Sequence, residues 1–337
     1  MFRTILAILL LIASGCSVNT NTRAAPASQW AIAIHGGAGA INRGESAQLE
    51  AAYRDAMENV LREGERRLAA GESSLDVCEA LVCMMEDDEL FNAGKGATLT
   101  ERGTVELDAA IMDGGKGGSE ASAPRAGAVA SVTTVKNPIS LARIVMQRTP
   151  HVLLVGPGAD DFAERAGVER VPNSYFITER RRRQLEAELE KRRTVTEAPA
   201  ARKYGTVGVV ALDTSGRLAA ATSTGGMTGK MPGRVGDAPI IGAGTYANDL
   251  VAVSCTGTGE QFIRNAVASG VATRMRLLGE GVQEASDYYI FKGLKPRDGG
   301  LIALDAHGNI AMPYSSAGMY RGSANSEGRF EVRIWED

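Results

Sequence analysis

The chain has 337 residues, 44% hydrophobic and 23% charged, enough apolar material for one large domain or two ordinary ones, which excludes a chain disordered throughout. A formal net charge of -3 and an aromatic content of 5% exclude a basic or base-stacking surface for nucleic acid. Forty glycines, roughly 12% against the usual ~7%, announce many tight turns and close backbone approaches.

Met1-Phe2-Arg3 gives a short basic start, and Ile5 to Ala13 is an apolar run of signal-peptide length, too short to span a bilayer. Ala13-Ser14-Gly15-Cys16 then resembles a bacterial lipobox, which implies lipidation of Cys16 as the first mature residue. Ala13 stands where that pattern prefers Leu, which leaves ordinary signal removal open. Residues 17–28 are small and polar, as a tether would be. The expectation is a signal peptide over 1–16 and an exported protein, periplasmic or an outer-membrane lipoprotein of a bacterium. Cys78, Cys83 and Cys255 lack CxxC spacing and read as buried structural thiols.

Trp30 to His35 reads as a buried strand running into Gly36-Gly37-Ala38-Gly39. Over 46–70, Leu49, Ala52, Tyr53, Ala56, Met57, Val60 and Leu61 recur at helical spacing, and Ser74 to Met85 reads as a second helix. Val105 to Met112 and Ala126 to Val132 are strands around a glycine-rich 114–118, with helices at 139–147 and 158–166. His151 is placed at the start of a strand.

Residues 179–203 differ from their surroundings: nine Lys or Arg and five Glu, with few large apolar residues. Such a segment buries too little to offset the entropy of ordering it, so 179–205 reads as a flexible linker. A solvated helix over 179–193 is the alternative, and either way the segment is expected outside the core. Beyond it, Thr206 to Leu212, Leu218 to Ser223, Ile240 to Ala243 and Val251 to Cys255 read as short strands, the first two joined by an Asp213-Thr214-Ser215-Gly216 turn. Residues 260–292 read as helical, followed by a strand pair at Gly300 to Leu304 and Ile310 to Pro313. Strands and helices are segregated with antiparallel hairpins, so the fold class is α+β rather than a doubly wound parallel sheet.

Common nucleophile machinery is missing. There is no GxSxG elbow, and only His35, His151 and His307 are present, His307 in an exposed turn. No HExxH or carboxylate cluster has metal-ligand spacing. His35-Gly36-Gly37 suggests an oxyanion loop or a nucleotide cradle, but GxGxxG spacing with a later acid is absent. What remains is a linker leading into Gly205-Thr206 at a strand start, where proteolysis concentrates. A cut there would free an amine on Thr206 with an ordinary pKa near 8, able to act as base for its own hydroxyl. The bland reading is a β-branched residue that simply begins a strand.

Wider motifs decide between these. Gly205 to Asp213 (GTVGVVALD), Thr222 to Asp237 (TSTGGMTGKMPGRVGD), Gly242 to Asp249 (GAGTYAND) and Ser254 to Glu260 (SCTGTGE) resemble the plant-type L-asparaginase / isoaspartyl peptidase family. His35 to Ala40 (HGGAGA), Phe91 to Gly96 (FNAGKG) and Val105 to Gly114 (VELDAAIMDG) agree, so the resemblance covers about residues 30–325. It implies an N-terminal nucleophile hydrolase: a four-layer αββα sandwich, α and β subunits of about 29–205 and 206–337 from cleavage between Gly205 and Thr206, and a dimer of such units.

The same resemblance implies roles. Thr206 attacks the side-chain carbonyl of a β-aspartyl peptide or L-asparagine, and Thr224 orients its hydroxyl. Thr256 and the N–H of Gly257 form the oxyanion hole, while Arg234 and Asp237 take the substrate's α-carboxylate and α-ammonium. Asn92 orders the surroundings of Thr206, and the glycine stretch after His35 affects self-cleavage. No cofactor is implied for the chemistry. A structural sodium ion is implied on the carbonyls of Met85, Glu86, Asp88, Phe91, Ala93 and Lys95. Two other functions compete: an aspartylglucosaminidase, which shares the PGRVGD run, and a non-catalytic amino-acid-binding lipoprotein of the same fold. Gly225-Gly226-Met227 resembles the isoaspartyl peptidase form.

Overall fold

The computed structural model describes residues 29–39, 47–115, 123–194 and 205–335. In chain order the elements are β1 (Ala31–Ala38), α1 (Ala47–Ala69), α2 (Ser74–Asp87), β2 (Leu107–Asp113), β3 (Arg125–Val132), α3 (Pro138–Arg148), β4 (Leu153–Val155), α4 (Gly156–Ala166) and α5 (Glu179–Thr194). There follow β5 (Val207–Leu212), β6 (Leu218–Thr224), β7 (Thr245–Ala247), β8 (Val251–Gly257), α6 (Gly259–Asn265), α7 (Val267–Leu278), α8 (Val282–Tyr288), β9 (Gly299–Asp305), β10 (Ile310–Ala311), β11 (Met319–Asn325) and β12 (Phe330–Arg333). One sheet has the order β12-β11-β1-β5-β6-β2-β3-β4, the other β10-β9-β8-β7.

Alternation along the strands builds the layers. Ile32, Ile34, Val207, Val209, Ala219 and Ala221 face a core shared with α1 to α4. Their neighbours Ala31, Ala33, Val210, Leu212, Leu218 and Ala220 face Ala252, Ile302 and Leu304 of the smaller sheet. The far side of that sheet presents Val251, Val253, Cys255, Leu301 and Ala303 to α7 and α8. Three apolar cores between four layers make the αββα sandwich. The inter-sheet core is rich in alanine, which lets the two sheets approach closely.

β1 lies between β5 and β11, antiparallel to both, so one sheet is woven from segments on either side of Gly205. The turn joining β5 and β6 is fastened by Asp213, whose carboxylate accepts from the N–H groups of Ser215 (2.9 Å), Arg217 (3.1 Å) and Ser74 (2.8 Å).

The structure corrects several sequence expectations. The segment from 179 is helical as far as Thr194 and is not outside the core: Leu185 joins the main apolar cluster and Arg181 is buried. Counting apolar residues misses this because guanidinium groups, not aliphatic chains, dock the helix. Arg180 donates to the carbonyls of Glu89 (3.0 Å) and Leu90 (2.6 Å), Arg181 to that of Gly96, and Arg192 to that of Gly229 (2.8 Å). Residues 195–204 of the expected linker lie outside the described residues. Ile240–Ala243 is a turn, closed by Ile240 N–H to Asp237 O and Ala243 N–H to Ile240 O, and the strand forms later as β7. The helical stretch from 260 breaks where Ala266 and Gly279 adopt positive φ, giving three α-helices followed by a π-helical turn at Tyr289–Gly293. The strand expected from His151 forms as β4, while β11 and β12 have no counterpart in the expected elements. His151 precedes β4 and is exposed. Among the described residues no helix is long and apolar enough to cross a membrane. Cys78 and Cys255 are buried and Cys83 is half-buried, all three as free thiols.

Candidate active site

Polar residues interrupt the inter-sheet core at one end, on the strand positions that alternation turns inward: His35, Thr206, Thr222, Thr224, Ser254 and Thr256. Thr206 stands one residue before β5, beside the last residue of β6. Its Oγ1 donates to Thr224 Oγ1 at 3.1 Å, and Thr224 Oγ1 also accepts the N–H of Gly226 at 3.0 Å. Both threonines are buried, Thr206 at 9% exposure.

A cavity opens in front of Thr206, lined by Ala38, Gly205, Thr224, Gly226, Met227, Arg234, Gly236, Asp237, Thr256 and Gly257. Every expected residue for nucleophile, oxyanion hole and substrate grip therefore faces one space. Thr256 Oγ1 accepts from the N–H of Ala38 at 3.2 Å, which leaves its own proton to donate to an oxygen in the cavity. Gly37 shapes the opposite wall: it has φ +115, and a Cβ there would collide with Gly205 Cα.

Arg234 and Asp237 sit on the irregular loop between β6 and β7. No ion pair joins them directly; Arg234 donates through Nε (3.0 Å) and Nη2 (2.9 Å) to Glu260 of α6. Asp237 is buried and its Oδ2 has no hydrogen-bond partner among the described residues. Burial pushes its carboxyl up to about 7, with the nearby Arg234 charge pulling it down. A carboxylate orphaned in this way is fitted to receive an ammonium group. The loop is held without regular structure: Glu106 accepts from the N–H of Gly233 (2.8 Å), Asp108 from that of Gly236 (3.3 Å), and buried Lys230 donates to the carbonyl of Glu106 (2.8 Å).

Asn92 does not line this cavity. It lies behind it, in a neighbouring one with Gly36, Tyr53, Arg180 and Gly205. Its amide donates to Gly226 O (2.8 Å) and accepts from Thr98 N–H (2.8 Å), bracing the turn that follows Thr224. The carbonyls of Met85, Glu86, Asp88, Phe91, Ala93 and Lys95 belong to the end of α2 and the loop after it. The loop is closed by Lys95 N–H to Glu86 O (2.7 Å) and Phe91 N–H to Asp88 O (3.2 Å). Among the described residues no cluster of His, Cys, Asp or Glu side chains could hold a metal ion.

Sequence reasoning left unassigned Glu260, Lys230 and the group around His35, which is fully buried. Its Nδ1 lies 2.8 Å from Thr206 O and its Nε2 2.9 Å from Ser254 Oγ. Burial pushes the imidazole down to about 3, so the ring is neutral. The signal was available: His35 falls on the same inward face of β1 as Ala31 and Ala33.

A family profile described as asparaginase matches residues 28–334. An isoaspartyl peptidase of Escherichia coli (strain K12) is 48% identical over 299 residues, covering 86% of this chain and 91% of that protein. A protein of Arabidopsis thaliana named "Probable isoaspartyl peptidase/L-asparaginase 2" is 42% identical, covering 91% of this chain and 99% of its own length. The isoaspartyl peptidase/L-asparaginase of Mus musculus is 43% identical, covering 86% of each. Relatives from a plant and a mammal stand beside the bacterial one, and this spread overturns the expectation of a periplasmic or outer-membrane lipoprotein of a bacterium. Cys16 and the stretches 1–16 and 17–28, expected as leader and tether, lie outside the described residues.

Proposed function

The chain belongs to the asparaginase family, and on that premise we propose that it activates itself by cutting between Gly205 and Thr206, with Thr206 as its nucleophile. It is a threonine-type N-terminal nucleophile hydrolase of β-aspartyl (isoaspartyl) peptides and L-asparagine, releasing L-aspartate. The relatives above carry the isoaspartyl peptidase name rather than that of an aspartylglucosaminidase. The observation that carries the reading is the 3.1 Å bond between Thr206 Oγ1 and Thr224 Oγ1, in a cavity that also presents Thr256, Gly257, Arg234 and Asp237.

In the first reaction Thr206 Oγ1 adds to the Gly205 carbonyl carbon and the C–N bond breaks, leaving an ester and a free amine. Water then hydrolyses the ester, giving Gly205 a carboxylate and Thr206 its hydroxyl back. The fragments are about 29–205 and 206–337. In each later turnover the amine takes the hydroxyl proton as Oγ1 attacks the substrate's side-chain carbonyl. Thr256 Oγ1–H and Gly257 N–H stabilise the oxyanion. The leaving amine departs with a proton, and water frees aspartate from the acyl-enzyme. Arg234 grips the α-carboxylate and Asp237 the α-ammonium, so only a side-chain carbonyl reaches Thr206. Asn92 keeps the Gly225–Gly226 turn in place.

No cofactor takes part in the chemistry. The carbonyls of Met85, Glu86, Asp88, Phe91, Ala93 and Lys95 would hold a sodium ion. Neutral oxygen donors suit a hard cation, and the carbonyls of Glu86 and Asp88 keep a second lone pair beside the N–H each accepts. Bound there, the ion would stiffen the loop that carries Asn92. Two cleaved units pair into a dimer, which sedimentation would register as twice the 35.4 kDa of the full chain, less any leader removed.

Mass spectrometry of the purified protein tests the central claim: a fragment beginning at Thr206 is expected. Thr206→Ala should remain uncut and inactive, and a fully active variant would sink the assignment.

A further inference from the structure

His35 and three hydroxyl residues form a connected series that the reaction described above does not use. The Thr206 carbonyl can only accept, so His35 Nδ1 carries the hydrogen of their 2.8 Å bond. In a neutral ring Nε2 is then bare, and it accepts from Ser254 Oγ at 2.9 Å. With its proton committed, Ser254 accepts from Thr222 Oγ1 at 2.7 Å. Thr222 in turn accepts from Thr245 Oγ1, also 2.7 Å away, whose proton is shared with the carbonyl of Ala238 at 2.9 Å. The direction of each bond follows from the one before it.

The four side chains come from β1, β8, β6 and β7, so the series crosses from one sheet to the other. All four are buried, and Ala238 adjoins Asp237. Room for them comes from Gly208, where a Cβ would collide with both Ser254 Oγ and His35 Nε2. The paired register of β1 with β5 ends at His35 and Gly208, two residues short of Thr206. The imidazole reaches Thr206 where that pairing has stopped.

We infer that His35 is a positioning residue for Thr206: the relay Thr245–Thr222–Ser254 locks its ring as the Nδ1–H tautomer, and the ring holds the Thr206 carbonyl so that the freed amine and hydroxyl aim at the substrate. This rests on Thr206 being the nucleophile. Once the Gly205 bond is cut, nothing on the N-terminal side tethers Thr206, and this carbonyl bond becomes one of its few anchors. Misplacing a reacting group by about 1 Å typically costs ~10²-fold. The relay also ties that anchor to the Asp237 turn, joining the part that grips the substrate to the part that attacks it.

The test compares His35→Leu, which removes the donor, with His35→Asn, whose amide places an N–H near the Nδ1 position, and with Ser254→Ala, which frees the ring to change tautomer. On the cleaved fraction of each, His35→Leu should lower kcat on a β-aspartyl dipeptide on the order of 10²-fold with KM within about threefold. His35→Asn should recover at least about tenfold of that loss, and Ser254→Ala should lower kcat on the order of tenfold. A leucine variant that stays uncut beside an asparagine variant that cuts supports the proposal equally, because self-cleavage uses the same hydroxyl. Equal behaviour of His35→Leu and His35→Asn, cut or uncut, overturns it. Nitrogen-15 correlation spectra of the wild-type histidines give a readout independent of turnover, with a protonated Nδ1 expected for His35 and a protonated Nε2 contradicting the relay. Thr206→Ala is assayed alongside. Activity in that variant defeats the nucleophile itself, whereas an inactive Thr206→Ala with unaffected His35 variants defeats only the positioning role.

Discussion

Gly37 and Gly205 meet backbone to backbone, so that a side chain on either would strike the other. The bond to be cut is thereby pressed against the end of β1, and Gly37 also holds φ +115, a conformation other residues adopt at a cost. Gly37→Ala is expected to slow self-cleavage at least about tenfold, for a strain of roughly 1–3 kcal/mol. Densitometry of uncut chain against time measures it, and wild-type kinetics would show that the contact is idle.

Arg234→Lys keeps the charge but loses the planar fork. With the nucleophile untouched, KM for L-asparagine should rise on the order of 10–100-fold while kcat changes little. Steady-state kinetics decide it: a fall confined to kcat would place Arg234 outside the grip on substrate.

Asp237 must be ionised to hold an ammonium group, and burial has pushed it up to about 7. In the free enzyme kcat/KM should therefore climb as pH rises through about 7. Stability runs the other way. Between the ordinary value of 3.8 and about 7 the folded chain binds the extra proton, so stability is full below the lower value and drains as pH rises through the upper one. Asp237→Asn should thus melt higher than wild type at pH 8 and the same near pH 4, while losing activity. Matching melting curves at pH 8 would contradict the raised carboxyl.

Arg192 reaches from α5 to the carbonyls of Gly229 (2.8 Å) and Thr228 (3.4 Å), on the loop that carries Met227 and Arg234. Arg192→Ala should loosen that loop and raise KM on the order of tenfold, with kcat nearly kept, for the loss of a charged hydrogen bond worth about 1.5 kcal/mol. Unchanged KM would show that the helix supports the fold without steadying the loop.

Much of this was legible in the sequence because strand alternation is local. Thr222 and Thr224 had to share a face, and so did Ser254 and Thr256, whatever lay opposite. The motifs then placed Arg234 and Asp237 at one cavity without any knowledge of the loop between them. Other features depend on partners far away in the chain. Thr206 finds His35 across 171 positions and Ser254 finds it across 219, separations at which no period carries information. Glu260 reads as an ordinary helix-start acid until Arg234 lies on it. β11, with Arg321, Gly322 and Ser323 in its middle, has little strand character of its own and forms because β1 offers an edge. α5 failed differently: its arginines look solvated until loop carbonyls are there to accept from them.

The weave of β1 between β5 and β11 changes what denaturation means for this protein. Before the cut, refolding is a first-order event within one molecule. Afterwards the central strand belongs to one polypeptide and both its neighbours to another, so recovery becomes second order and slows with dilution. A processed sample that unfolds should regain activity in proportion to its concentration, while the uncut Thr206→Ala chain should refold at a rate indifferent to it. The native assembly is then guarded by the height of its unfolding barrier rather than by the depth of its equilibrium.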